Sequence, residues 1–282
     1  KAFNRDGEVA TARAAKSQKA VQMLSTASST PVEEVSKALG TPPWFQLYMP
    51  LTWEETEKVV KRVEAAGCPV LAWTVDLLAG RNTETATRFT RLDNRDCLSC
   101  HAISPKAGAN PADNAGKTML AGTSGKINPP QATWAYVDRL KKMTTMKLVL
   151  KGIDTGEDAK LAREHGADGV IVSNHGGRAT ETGRGTIDVL PEVIDAVGPQ
   201  FPVFVDGGFR RGSDVYKALA IGAKGVGIGR PYIYGLSSFG QEGVERVLEI
   251  LRAELSLTMR QCGTPAIASI TRASVLRNGS RL

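Results

Sequence analysis

Pro202-Val203-Phe204-Val205-Asp206 runs into Gly207-Gly208-Phe209-Arg210-Arg211-Gly212, passes through a helix-patterned stretch over residues 213–221, and reaches Gly225-Val226-Gly227-Ile228-Gly229. The two outer runs are apolar almost throughout, the pattern of strands buried on both faces of a parallel sheet. A helix between two such strands makes a right-handed βαβ unit. Working outward, the same unit recurs. Strands are expected over residues 22–26, 44–48, 70–76, 147–151, 169–174, 202–206 and 225–229, and helices over 32–39, 54–66, 157–165, 190–197, 213–221 and 238–259. Trp53 and Trp134 are expected to begin helices and pack on the sheet. Seven strands with alternating helices predict an α/β fold, a TIM (β/α)8 barrel with its first strand lying before residue 1. The whole chain, 1–282, then reads as one barrel domain, incomplete at its N-terminus.

One segment breaks the rhythm. Residues 77–130 carry Gly, Asn, Pro, Ala and Thr with little apolar periodicity, and are expected to form a long loop on the C-terminal face of the barrel after the strand ending at Asp76.

Composition narrows the function. The 282 residues carry 36 basic and 29 acidic side chains, a net charge of +7, with no run of five like charges. A nucleic-acid arm or a polybasic membrane tail is therefore not indicated. No apolar stretch approaches the ~18 residues that span a bilayer. Four cysteines do not make a disulfide scaffold. The opening residues Lys1-Ala2-Phe3-Asn4-Arg5-Asp6 lack the apolar core of a signal peptide, and the chain is expected to start inside a longer protein.

The ends of consecutive strands carry the chemistry. Asp206-Gly207-Gly208-Phe209-Arg210-Arg211-Gly212 and Gly229-Arg230-Pro231 each pair glycines with arginine. Glycine lets backbone N–H groups approach an anion, and arginine adds charge and a bidentate fork. A phosphate site between the last two strands is a recurring barrel feature; tight strand–helix turns are the competing explanation. Ser173-Asn174-His175-Gly176-Gly177-Arg178 closes another buried strand. A strand-end histidine with arginine three residues on can pair a base with a carboxylate clamp, or be a turn histidine beside a surface arginine.

Together with Lys151-Gly152, Thr186-Ile187-Asp188, Ala10-Thr11-Ala12-Arg13-Ala14-Ala15, Leu24-Ser25-Thr26, Phe45-Gln46-Leu47-Tyr48 and Thr74-Val75-Asp76, these motifs make the chain resemble the FMN-dependent α-hydroxy acid dehydrogenases and oxidases. That family includes glycolate oxidase, lactate oxidase, mandelate dehydrogenase and lactate dehydrogenase flavocytochromes. The resemblance covers all but about residues 83–130. It implies FMN-dependent oxidation of an L-2-hydroxy acid of the lactate, glycolate or mandelate kind to the 2-oxo acid. His175 would be the base, Asp76 its orienting partner, Arg178 the carboxylate clamp and Tyr48 a contact to the substrate hydroxyl. Lys151 would stand at the flavin N1/O2 edge. Ser25, Gln46 and Thr74 would bind the isoalloxazine ring. Ser173, Asp206, Gly207, Gly208, Arg210, Gly229 and Arg230 would complete the cofactor site, the last two and Arg210 at the phosphate. The resemblance also implies an electron acceptor (oxygen, a cytochrome or a quinone) and a homo-oligomer when full length. Departures are the family's N-terminal region, which lies before residue 1 and supplies part of the flavin cradle and a second tyrosine, so that this chain alone is expected to bind FMN poorly; Asn82 at the place of a second active-site arginine, with Arg81 before it; and Ala27 where a larger substrate-contacting side chain often sits, which hints at a roomier pocket.

Cys97-Leu98-Ser99-Cys100-His101 is C-x-x-C-H, the pattern of covalent haem c attachment. A local disulfide, a zinc site completed elsewhere, or a loop without redox role remain open beside it. Met119 is a candidate distal ligand. Haem attachment would require a periplasm-like compartment; otherwise a cytoplasmic location is expected. Cys68 and Cys262 read as barrel thiols and His165 as a helix cap. An electron-transfer or scaffold protein using this loop, and another FMN-barrel enzyme, are the competing functions.

Overall fold

A computed structural model of the chain describes residues 3–80, 84–92, 118–179 and 183–276. Seven strands form one parallel sheet in chain order: β1 Met23–Ser25, β2 Trp44–Leu47, β3 Val70–Thr74, β4 Lys147–Ile153, β5 Gly169–Val172, β6 Val203–Asp206 and β7 Gly225–Gly227. All seven expected strands are present, with several ends one or two residues shorter. β1 and β7 are the sheet edges. The sequence order of the strands and the parallel pairing between neighbours are the (β/α) barrel arrangement.

Helices follow the strands: α1 Gly7–Ser17, α2 Val32–Leu39, α3 Trp53–Ala65, α4 Glu84–Leu92, α5 Trp134–Met143, α6 Gly156–Glu164, α7 Thr186–Val197, α8 Gly212–Ile221 and α9 Arg230–Gln261. Local chemistry sets several boundaries. The Thr52 hydroxyl accepts the Glu55 N–H at the start of α3, and the Thr155 hydroxyl accepts the Asp158 N–H at the start of α6. Gly40, at φ 84°, ends α2 in the left-handed region.

Side chains alternate across the sheet. Leu24, Phe45, Leu71, Leu148, Val170 and Val203 face the helices in the main core. Met23, Trp44, Val70, Ala72, Val149, Ile171 and Phe204 fill the lower barrel interior, with Trp44 and Phe204 edge to face at 5.4 Å. α1 and α9 pack together through Ala10, Ala14, Leu236 and Val244, so the first and last helices meet behind the two sheet edges.

Several expectations change. The helix expected over 190–197 starts at Thr186, with Pro191 inside it. The helix expected over 238–259 starts at Arg230 and breaks at Gly240, whose φ is 61°. The stretch over 77–130 is not all loop: its described residues contain α4 and a 3-10 turn, Thr118–Leu120. Its return is pinned by Thr118 N–H to the Ser28 carbonyl and Asn128 N–H to the Met49 carbonyl. Met119 is not available as a metal ligand, because its side chain is buried in the main core and its sulfur accepts the Val32 N–H at 3.3 Å.

Cys97, Cys100 and His101 lie outside the described residues, as do Arg81 and Asn82. Cys68 is buried, which pushes its thiol up to about 11, while Cys262 is exposed at the end of α9 rather than in the barrel. His165 follows α6, bonds Asp138 Oδ1 through Nδ1 at 2.8 Å and stacks on Trp134. Trp53 and Trp134 begin α3 and α5 and pack on the core.

Candidate active site

Alternation that makes the lower barrel apolar makes its upper end polar. At the C-terminal ends of the strands, Ser25, Gln46, Thr74, Lys151, Ser173 and Asp206 follow one another from β1 to β6. Barrel active sites sit at this end.

Two hydrogen-bonded chains organise it. In the first, Tyr48 Oη lies 3.1 Å from His175 Nε2, and His175 Nδ1 lies 3.2 Å from Asp76 Oδ1 and 3.3 Å from Oδ2. The side chains of His175 and Asp76 are 12% and 2% exposed. A carboxylate this enclosed favours the tautomer with the proton on Nδ1, leaving Nε2 as an acceptor on the open side. His175 has φ 57°, a left-handed value that a non-glycine residue adopts at a cost, and such strain concentrates where a side chain must be aimed.

In the second chain, the Lys151 ammonium donates to Ser173 Oγ at 2.9 Å and sits 3.3 Å from Asp206 Oδ2, and Ser173 Oγ donates to Asp206 Oδ1 at 2.6 Å. Ser173 Oγ also accepts the His175 N–H at 3.2 Å, so both chains share one serine. Beside them, Gln46 Nε2 donates to Thr74 Oγ1 at 2.5 Å.

The arginines show a pattern. Arg178, Arg210 and Arg230 are exposed at this end and form no ion pair among the described residues, whereas nearby Arg184 and Arg211 are paired with Glu192 and Glu254. Arg178 donates through Nε to the His175 carbonyl, Arg210 to the Phe209 carbonyl, and Arg230 to the Gly176 carbonyl at 2.7 Å. Their charges remain open to an anion. Gly207 and Gly208, at φ 93° and 84°, turn the β6 end toward this face, and nothing lies within 4 Å of a Cβ built on Gly208 or Gly229. That open backbone beside two unpaired guanidinium groups has the chemistry of a phosphate site. The amide of Gln46, the hydroxyls of Ser25 and Thr74 and the Lys151 ammonium, in a row across the barrel mouth, supply the mixed donors and acceptors that a flavin ring edge requires. The donor set fits FMN.

The structure thus brings His175, Asp76 and Tyr48 into contact, and separately Lys151, Ser173 and Asp206. It does not bring Arg178 to the imidazole face, since its guanidinium is bonded to the turn carbonyl. Two contributors lie within the quoted sequence motifs but carry no role there. The Thr26 hydroxyl donates to the Gln46 carbonyl at 2.9 Å and accepts the Tyr48 N–H at 3.0 Å, fixing the strand that presents Tyr48. Gly152 allows Asp76 to lie against β4, where the pairing register shifts between Lys151 and Ile153. The Lys151-Gly152 motif marks the position but not the close approach to Asp76.

Residues 1–277 match a family model described as FMN-dependent dehydrogenase. The chain is 40% identical over 282 residues to 2-hydroxyacid oxidase 1 of Mus musculus, covering 97% of this chain and 74% of that protein. It is 40% identical over 285 residues to glycolate oxidase 5 of Oryza sativa subsp. japonica, covering 98% and 74%. A crystal structure of mandelate oxidase with (S)-2-phenylpropionate superposes with a TM-score of 0.80 at 33% identity, over 96% of this chain and 73% of that one.

Proposed function

This chain belongs to the FMN-dependent dehydrogenase family and oxidises 2-hydroxy acids with FMN, and from that premise we propose how its own residues do so. FMN, when bound, supplies the acceptor for the two electrons that leave the substrate. Lys151, Gln46, Thr74 and Ser25 hold its ring, and Arg210, Arg230 and the Gly207–Gly208 turn hold its phosphate. Oxidation of a 2-hydroxy acid to a 2-oxo acid removes two electrons and two protons. His175 Nε2 takes one proton, the Asp76 carboxylate stabilising the imidazolium that forms, and the other proton would leave with the two electrons to FMN. Tyr48, already on Nε2, contacts the substrate hydroxyl. Arg178 leaves the His175 carbonyl to clamp the substrate carboxylate, a stronger charge-assisted partner.

The observation that carries this reading is the Tyr48–His175–Asp76 chain at the mouth of the barrel. His175→Gln in the flavin-loaded protein is expected to lower kcat by ~10²–10⁴, the range of general base catalysis, while FMN stays bound. Near-normal turnover would overturn the assignment. Relatives named as oxidases support oxygen as the electron acceptor. Hydrogen peroxide formed in step with 2-oxo acid tests that.

A further inference from the structure

Glu8 lies in the first turn of α1, outside every motif assigned above. Its carboxylate is half-buried and reaches across to the loop that follows β1. Oε1 accepts the Ser29 N–H at 2.7 Å, and the Ser29 hydroxyl approaches both oxygens, at 3.0 and 2.8 Å. Oε2 accepts the Thr30 hydroxyl at 2.7 Å, and Thr30 is fully buried. Burial alone would raise the Glu8 carboxyl above the ordinary range; the Ser29 amide and the two hydroxyls outweigh it and hold the group below that range, ionised.

This loop begins at the flavin-facing residues. The Ala27 N–H donates to Ser25 Oγ, Ser28 N–H to the Ser25 carbonyl, and Ser28 Oγ to the Thr30 carbonyl. Thr26, between them, holds Gln46 and Tyr48. Glu8 belongs to α1, which packs along α9. Tyr232, in the first turn of α9 two residues after Arg230, has its phenol raised by burial and then by the Glu8 charge. Ala10 and Ala14 of α1 pack on Leu236 and Val244 of α9.

We propose that Glu8 is a positioning residue that clasps the β1 loop to α1, and through the packing of α1 on α9 sets Ser25 and Tyr48 relative to Arg230 so that one cofactor spans both. The proposal rests on the FMN reading of the site. An ionised carboxylate suits this place because it accepts from every group the loop turns toward it: one amide and two hydroxyls. A glutamine of the same length carries no charge and keeps a single accepting oxygen, so its NH2 group must donate to one hydroxyl and reverse that bond.

The test uses the full chain, with FMN as the probe. FMN affinity is read from quenching of its fluorescence in wild type, Glu8→Gln and Glu8→Ala. Hydrogen exchange of the FMN-free proteins is read in parallel. The Gln variant covers the case in which Ala does not fold. The expected result is an FMN Kd raised about tenfold or more, the scale of a lost charge-assisted hydrogen bond. Faster exchange is expected over residues 24–31 and 44–49 and unchanged exchange over 203–206. An unchanged Kd would overturn the proposal. So would exchange that rises evenly through the chain, which marks a general brace, or not at all over 24–31. Wild-type protein that binds FMN yet does not oxidise 2-hydroxy acids would instead remove the functional reading and leave the clasp standing.

Discussion

A Cβ built on Gly152 would stand 2.6 Å from the Asp76 Cβ and 2.8 Å from the Asp76 nitrogen. Gly152 has φ 103°, a backbone state that side-chain-bearing residues rarely adopt. The contact is to backbone and to the root of the side chain, so no rotamer change relieves it. Gly152→Ala is therefore expected to displace Asp76 from His175 and to cost about 1–3 kcal/mol in stability. Its kcat should fall in the same direction as that of Asp76→Asn. Steady-state rates with stopped-flow reduction check this. A Gly152→Ala protein that is destabilised but turns over normally would show that Asp76 is not positioned through this approach.

Arg210 and Arg230 have no acid partners among the described residues, so removing them leaves no carboxylate stranded. Arg210→Ala with Arg230→Ala should weaken FMN by about 1.5–3 kcal/mol per lost charge-assisted contact, with little change in riboflavin affinity. Equilibrium dialysis against both flavins measures the difference. Equal losses for FMN and riboflavin would place the phosphate elsewhere.

Ala27 is exposed, next to Thr26, which holds the Tyr48 amide. A small side chain there leaves room at the mouth. Ala27→Trp should lower kcat/KM for mandelate more than for glycolate, by roughly tenfold or more in their ratio if the ring fills the space of a bulky substituent. An unchanged ratio would mean that Ala27 does not border the substrate.

Away from the site, Glu64 at the end of α3 accepts the Thr145 N–H and the Thr144 hydroxyl, both at 2.7 Å, just before β4 begins. The Thr145 amide foremost, then the Thr144 hydroxyl, lowers its carboxyl to about 2. A depressed carboxyl stabilises the fold above its unfolded value and loses that contribution as pH falls toward the folded one. Glu64→Gln should thus be destabilising by about 1–2 kcal/mol at neutral pH. The gap from wild type should narrow between about pH 4.5 and 2. Urea unfolding at a series of pH values follows it; a gap constant with pH would contradict the role of the ionised form.

The strands were legible because burial on both faces leaves uninterrupted runs such as Val70 to Trp73 and Gly169 to Val172, which no solvent-facing element shows. His175 and Arg178 were legible because a polar pair interrupts such a run at its end. Other features had no local signature. α1 is alanine-rich, and its buried face shows only once α9 packs on it. α9 begins at Arg230 rather than later because Pro231 suits a helix start, while Gly235 and Gly243 disguise a turn at which their backbones touch. Glu8 and Ser29 are far apart in sequence, and their pairing is a property of the assembled barrel. Met119 looked available because sulfur chemistry is visible in sequence and burial is not.

Every neighbouring pair of strands is linked by a short stretch except β3 and β4, where Leu71 pairs with Leu148; Leu24 pairs with Phe45, and Phe45 with Leu71. That junction closes a loop roughly three times as long, an added entropic toll of about 1 kcal/mol. Closing it last would leave two halves, β1–β3 bearing Tyr48 and Asp76 and β4–β7 bearing His175, Lys151 and both phosphate arginines. Neither half holds a base with its carboxylate. Assembly of the chemistry and the slow step of folding would then coincide, and a flavin signal would report on the moment the two halves meet.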